Sequence, residues 1–157
     1  MHINPDHFLQ TETGRVVTPE RNTAAWKKSY DSLDEALRDA DSSTKLYVLV
    51  GPQGSGKSTW AKAITSAPEK SIVFDAILVK RAERQPILAA AKARSVQAIA
   101  VWFKTPLEVC ISRNASRPAD EVVPEQAIRN VSSAIEPPSP AEGFVQVIEV
   151  AHRAPGA

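Results

Sequence analysis

One stretch of the sequence combines glycine, lysine and serine at a spacing that suits phosphate binding. It fits the pattern G-x-x-x-x-G-K-[ST] at every fixed position, and we call residues 51–58 the glycine-rich loop. Backbone N–H groups of such a loop converge on phosphate, and the N-terminus of the following helix adds partial positive charge. We therefore predict that a polyphosphate binds here. The predicted binding residues are Gly51, Pro52, Gln53, Gly54, Ser55, Gly56, Lys57, Ser58 and Thr59.

Two side chains of this stretch have predicted roles in catalysis. The Lys57 ammonium would reach the β- and γ-phosphates of a nucleotide, and the Ser58 hydroxyl would be a ligand of Mg²⁺. The alternative is a glycine turn that caps a helix without binding a ligand.

Asp75 is the second candidate, because it ends an apolar run that is predicted to be a strand. Parallel α/β sheets bind their ligands at the carboxyl ends of the strands. A carboxylate there could orient Mg²⁺ through water or accept the proton of an attacking hydroxyl. We therefore list Asp75 as both a catalytic and a metal-binding candidate. The alternative role is the N-cap of the next helix.

Arg113 and Arg117 form the third candidate pair. They are four residues apart, so they share one face of a predicted helix, and a loop at 118–120 follows them. Arginines in this place can close over a transferring phosphate. The alternative is a pair of solvated charges near a helix C-terminus.

The other residues with reactive side chains are not predicted to take part in catalysis. Lys80, Arg81 and Arg84 could meet an anionic substrate, although a solvated helix face is favoured. Cys110 lies on the apolar face of its predicted helix and is expected to be buried and unreactive. No role is assigned to the histidines, which are His2, His7 and His152.

Strands and helices alternate from Lys45 onward, and these elements must position the candidates. Strands are predicted over 46–50, 71–74, 96–103 and 144–150. Helices are predicted over 57–66, 82–94 and 106–116, with Thr105 as the N-cap of the last, and a further helix begins at 124. This alternation predicts an α/β fold with a mostly parallel sheet covered on both faces. Before Lys45, a small hairpin over 8–17 and a helix over 33–40 are predicted.

Length and composition exclude several classes of protein. The 157 residues suit one ordinary domain, and 19 basic against 18 acidic residues leave a net charge of +1. No global field attracts nucleic acid, so such a partner is possible but is not indicated by charge. A single cysteine excludes a disulfide framework, and no apolar run is long enough to cross a membrane. We expect a cytoplasmic protein with no membrane partner.

Three stretches together resemble a known group of kinases. They are 51–61, then 101–110 with Arg113 and Asn114, and then 123–138 with 142–144. This group contains the polynucleotide 5′-hydroxyl kinases, and it also includes AAA-type, ATP-binding small kinases that are related to zeta toxins. The resemblance spans about residues 45–150 and implies a P-loop NTPase fold, which is a three-layer α/β/α sandwich. It also implies ATP and Mg²⁺ as cofactors, phosphoryl transfer to a hydroxyl, and lid positions for Arg113 and Arg117.

The chain departs from this group between the predicted helix at 57–66 and the strand at 71–74. The group usually has a further strand and helices there, which carry its catalytic base and much of its acceptor site. Asp75 resembles the Asp of a later strand of the group, and not its base. Residues 1–44 are predicted to be an N-terminal extension that packs on a kinase domain over 45–157, and they are a candidate replacement for the missing part.

Three functions are compatible with these features. The first is an ATP-dependent kinase whose acceptor is a nucleic-acid 5′-hydroxyl or a small hydroxyl compound, with Asp75 or an N-terminal carboxylate as base. The second is a nucleotide-binding module, or a degenerate kinase, without transfer activity. The third is a nucleoside monophosphate kinase of the cytidylate type, which would need a monophosphate-binding insert near the shortened region.

Overall fold

The computed structural model describes residues 1–152. Its strands are β1 (His2–Ile3), β2 (Gln10–Thr11), β3 (Gly14–Arg15), β4 (Lys45–Val50), β5 (Ser71–Asp75), β6 (Gln97–Phe103) and β7 (Gln146–Val150). Its α-helices are α1 (Pro19–Arg38), α2 (Lys57–Thr65), α3 (Arg81–Ala93), α4 (Leu107–Ala115) and α5 (Glu125–Ala134). Residues 153–157 of the predicted kinase domain lie outside the described residues.

Five strands form one sheet in the order β1-β5-β4-β6-β7, and every neighbouring pair is parallel. The strand before the glycine-rich loop, β4, is therefore central and lies between β5 and β6. Because all carboxyl ends lie at one edge, the loops that follow β1, β4, β5 and β6 meet there. The predicted α/β fold with a mostly parallel sheet is confirmed.

The strands alternate their side chains between two cores, which explains their nearly continuous apolar sequence. In β4, Leu46 and Val48 point into the larger core, whereas Tyr47 and Leu49 pack in the smaller one. Helices α1 and α3 cover the larger core, and α2 covers the other face through Ala61. Burial on both faces favours apolar residues at every strand position, and the result is the predicted α/β/α sandwich.

Helix α1 is longer than the predicted helix over 33–40. It begins at Pro19, after Thr18, whose hydroxyl accepts a hydrogen bond from the Arg21 amide at 3.1 Å. Thr18 followed by Pro19 is a helix-start signal, and it explains why the helix begins 14 residues before the predicted start. The buried stripe at the start of the helix includes the small residues Ala25 and Ser29. Apolar periodicity therefore becomes visible only from Leu33.

The N-terminal segment joins the main sheet. Strand β1 pairs with β5, so that His2 lies beside Val73 and Ile3 beside Phe74. This strand is not predicted, because two residues are too short for a periodic pattern. The segment thus supplies a sheet strand to a chain that has only a turn between α2 and β5. The predicted hairpin is confirmed in β2 and β3, which pair in antiparallel register.

Two local interpretations are wrong. Thr105 does not cap α4, because its hydroxyl donates to the Ser55 carbonyl at 2.8 Å, and Pro106 is the capping residue. Arg84 does not lie on a solvated helix face, since it is fully buried and pairs with Glu142 at 2.8 Å. Among residues 1–152, no helix combines the length and the apolar character that a membrane crossing requires.

Candidate active site

The glycine-rich loop follows β4 directly and leads into α2 at Lys57. Its backbone takes left-handed angles at Gly54 (φ +80°) and Gly56 (φ +101°), which residues with a side chain rarely adopt. At Gly54 the loop also lies against α4, because a Cβ atom there would be 2.4 Å from the carbonyl oxygen of Cys110. Glycine is thus required at this position both by the angle and by the neighbouring backbone.

The Lys57 side chain folds back across the loop. Its ammonium donates to the carbonyl oxygens of Gly51 at 2.8 Å and Ala76 at 3.3 Å, and the residue is only 8% exposed. Burial lowers the pKa of Lys57, while the carboxylates of Asp75 and Asp6 act in the opposite direction. A polyphosphate bound in the loop would place further negative charge beside this buried ammonium and would thereby favour the charged form of Lys57.

Asp75 ends β5 beside the loop, and its Oδ2 atom accepts three hydrogen bonds. The donors are His2 Nε2 at 2.8 Å, Ser58 Oγ at 3.1 Å and Asn4 Nδ2 at 3.3 Å. Burial by itself raises the pKa of Asp75, but the His2 hydrogen bond and the Lys57 ammonium hold it below its usual range. The carboxylate is therefore ionised at neutral pH.

The alternative role of Asp75 as a helix cap does not hold. Helix α3 begins at Arg81, and the residue before it is Lys80. The Lys80 backbone amide donates a hydrogen bond to the Glu83 carboxylate at 2.9 Å. Asp75 instead points into the site, where it contacts Ser58.

His2 and Asn4 are not among the predicted site residues, but both contact Asp75 in the structure. Asn4 comes directly after the two residues of β1 that pair with Val73 and Phe74, so it lies level with Asp75. The residue is 9% exposed, and its side chain also accepts from the Asp6 amide at 2.9 Å. No pattern in the sequence indicates this contact, because it depends on the pairing of strands about 70 residues apart.

Arg113 and Arg117 both lie at the cleft above the loop. Arg113 Nη1 donates to the Gly54 carbonyl at 3.3 Å, and Nη2 lies 3.4 Å from His152 Nδ1. Arg117 is half-buried, and its charge contributes to lowering the pKa of Lys57 after the larger effect of burial. The structure thus places both predicted arginines on the same side as Lys57.

The loop after α4 is fixed at both ends rather than free. The buried Asn114 exchanges hydrogen bonds with the backbone of Val123, at 2.7 Å and 3.0 Å. The Asp120 carboxylate accepts from the Arg15 amide at 2.7 Å. The hairpin β2–β3 is thereby attached to this loop across the edge of the cleft.

The cleft above the loop has a volume of about 1060 Å³. The glycine-rich loop and α2 form one side, and the N-terminal segment forms the other, including Asp6 and Trp26. Ligand clefts of this kind range up to about 1,000 Å³, so there is room for a nucleotide and a small second molecule.

The residues present fit Mg²⁺ with a nucleotide. The Ser58 hydroxyl is exposed to the cleft and lies next to an ionised carboxylate, and Mg²⁺ prefers oxygen ligands of this type together with phosphate oxygens. The Ser55 hydroxyl, inside the loop, is buried and has no hydrogen-bond partner within the described part of the chain. A phosphate oxygen in the loop could accept from it.

Comparison with known protein families places part of the chain in a family model. A family model described as an AAA domain matches residues 64–138, which is just under half of the chain. The matched region begins within α2 and includes β5, β6 and the helices α3 to α5. Because it starts after the glycine-rich loop, the match and the loop are separate observations. Both support a P-loop, nucleotide-binding protein of kinase-like type. No curated protein matches the chain.

Proposed function

We propose that the protein is an ATP-dependent phosphotransferase that moves the γ-phosphate of ATP to a hydroxyl acceptor. The observation that carries this proposal is the contact of 3.1 Å between Ser58 Oγ and Asp75 Oδ2, at the end of the glycine-rich loop. P-loop enzymes use a hydroxyl and a carboxylate in such positions for the Mg²⁺ of the nucleotide. Within the P-loop kinases, the sequence resemblance favours the group of polynucleotide 5′-hydroxyl kinases and zeta-toxin relatives.

Each candidate side chain then has one task. Lys57 holds negative charge on the β- and γ-phosphates, and Arg113 and Arg117 stabilise the charge that develops during transfer. Ser58 and Asp75 would hold Mg²⁺, which when bound neutralises charge between the two phosphates.

We assign the catalytic base to Asp6 rather than to Asp75. A base must reach the acceptor hydroxyl, whereas Asp75 is 2% exposed, accepts three hydrogen bonds and has a lowered pKa. The Asp6 side chain is 45% exposed, lines the cleft and is held by Arg15 Nη1 at 3.5 Å. The acceptor oxygen bonds to the γ-phosphorus, the bond to the β–γ bridging oxygen breaks and ADP leaves. The hydroxyl proton passes to the Asp6 carboxylate.

A second candidate is nucleotide binding without transfer. It is favoured by the donors His2 at 2.8 Å and Asn4 at 3.3 Å on Asp75 Oδ2, because they compete with a metal-bound water for this oxygen. The two candidates agree on nucleotide binding and differ in turnover.

The test measures nucleotide binding and ATP turnover on the same variants. Lys57→Ala should lower nucleotide affinity or turnover by at least about tenfold, which corresponds to about 1.4 kcal/mol. Asp75→Asn and Asp6→Asn should each retain bound nucleotide but lower turnover by roughly 10²-fold or more. Asp34→Asn serves as the control, because this exposed carboxylate on α1 is not part of the cleft.

The outcomes separate the candidates. Full turnover in Asp75→Asn would reject its role at the metal, and full turnover in Asp6→Asn would reject it as base. A wild-type protein that binds ATP with Lys57-dependent affinity, yet neither hydrolyses it nor phosphorylates any acceptor, would establish the binding module instead.

A further inference from the structure

The charged side chains of the cleft divide into two halves of opposite sign. The half next to the glycine-rich loop carries cations, which are Lys57, Lys62, Arg113 and Arg117. This half matches the polyphosphate of a nucleotide. Asp75 lies at the boundary, where Ser58, His2 and Asn4 cover it.

The opposite half is formed by the N-terminal segment and by Asp120 and Glu121 of the loop after α4, and it is acidic. Arg117, earlier in the same loop, is counted with the cations because its charge acts on Lys57. The one guanidinium of the acidic half, Arg15, is 12% exposed and lies 3.5 Å from Asp6 and 3.3 Å from Glu121. The backbone amide of Arg15 donates a hydrogen bond to the Asp120 carboxylate at 2.7 Å. Three carboxylates against one guanidinium leave a net charge of −2 on this half. The two terminal nitrogens of Arg15 are thus paired with carboxylates, while its buried Nε has no hydrogen-bond partner within residues 1–152.

Besides His7, whose pKa is lowered by burial, the rest of this half is uncharged. Asn22 and Gln10 offer amide groups, and Trp26 offers part of an indole surface that is fixed against Tyr30 and Phe74, with ring centroids at 6.0 and 6.2 Å. Amides pair with hydroxyl groups, and an indole packs against a sugar-like ring or a cation.

We propose that the acceptor is a small polyhydroxy compound that is neutral or positively charged, and that it binds between Asp6 and Trp26. This inference rests on the proposed kinase function and selects among its acceptors. It disfavours a nucleic-acid end and a nucleoside monophosphate, because their phosphates would lie against Asp6, Asp120 and Glu121, where the Arg15 guanidinium is already paired with two of these carboxylates.

The test is a phosphoryl-transfer screen with radiolabelled ATP on compounds matched in shape but not in charge. One set contains sugars, polyols, nucleosides and amino sugars. The other contains their phosphates and carboxylates, with an oligonucleotide that has a free 5′-hydroxyl. Transfer is expected to a neutral or cationic member, at a rate at least tenfold above that of its anionic counterpart. Equal or faster transfer to an anionic member would overturn the inference.

The charge itself is tested by the double variant Asp120→Asn/Glu121→Gln. It should lower the preference for the neutral compound over its phosphorylated counterpart at least threefold, while nucleotide affinity stays unchanged. The matched control is Asp34→Asn/Glu35→Gln, the same dipeptide on the exposed face of α1. An unchanged preference in the cleft variant would refute the role of these carboxylates.

Failure of the inference and failure of the proposed function give different results. If ATP hydrolysis persists and depends on Lys57, but no neutral or cationic compound is phosphorylated, the acceptor class is wrong and the nucleotide site stands. If no ATP turnover of any kind depends on Lys57, the kinase proposal fails, and the acceptor inference fails with it.

Discussion

The buried pair of Arg84 and Glu142 supports a prediction on stability that does not depend on the function. Both side chains are fully buried, and the guanidinium donates to both Glu142 oxygens at 2.8 and 3.0 Å. It also donates to the carbonyl oxygens of Leu78 and Val79, at 3.0 and 3.1 Å, and of Glu136, at 3.0 Å. These contacts use every N–H direction of the arginine.

Glu142→Gln keeps the size of the side chain but leaves the guanidinium charge buried without a counter-charge. Breaking a buried pair in this way costs about 3–5 kcal/mol, against a total stability of about 5–15 kcal/mol for a typical domain. The variant should therefore fold but unfold more easily. In urea, with a slope of about 2 kcal/mol per molar, the midpoint should fall by roughly 2 M.

The measurement is urea unfolding followed by circular dichroism and tryptophan fluorescence. Arg81→Ala is the matched control, because this exposed arginine is on the same helix and, within residues 1–152, its side chain hydrogen-bonds to Ser139, at 3.2 Å. It should cost no more than about 0.5 kcal/mol. The double variant Arg84→Met/Glu142→Gln should lose less than the sum of its single variants, since no charge is left buried. A loss for Glu142→Gln no larger than that for Arg81→Ala would refute the reasoning.

Two further predictions concern the glycine-rich loop and its neighbour. Gly54→Ala should cost about 1–2 kcal/mol for the left-handed angle and a further 1–3 kcal/mol for the clash with the Cys110 carbonyl. Gly56→Ala is the control, because its Cβ would approach only the flexible Arg113 side chain, at 3.7 Å; equal losses of unfolding free energy in the two variants would contradict the clash. Cys110 should react with a thiol reagent only as fast as the protein opens, because the residue is fully buried and burial raises the pKa of its thiol. If the native protein is labelled rapidly and urea does not increase the labelling rate, the predicted burial of Cys110 is disproved.

The sequence by itself determines the elements from Lys45 onward. The apolar runs of β4, β5 and β6 are buried on both faces, so local composition is sufficient to recognise them. The glycine-rich loop could be placed because its glycines, Lys57 and Ser58 are contiguous. Asp75 could be proposed as a site residue because the end of a parallel strand is a general ligand position.

Tertiary structure alone decides what faces the glycine-rich loop. His2 and Asn4 reach Asp75 because β1 pairs with β5, and a two-residue strand has no periodicity from which to predict that pairing. Arg84 lies in an Ala-rich, polar helix, and its sequence context therefore predicts an exposed side chain. The burial of its charge is stabilised by the carboxylate of Glu142, which is distant in the sequence. Local patterns record which face of an element is apolar. The partner of a buried charge depends on chain segments more than 50 residues away, and no local pattern contains that information.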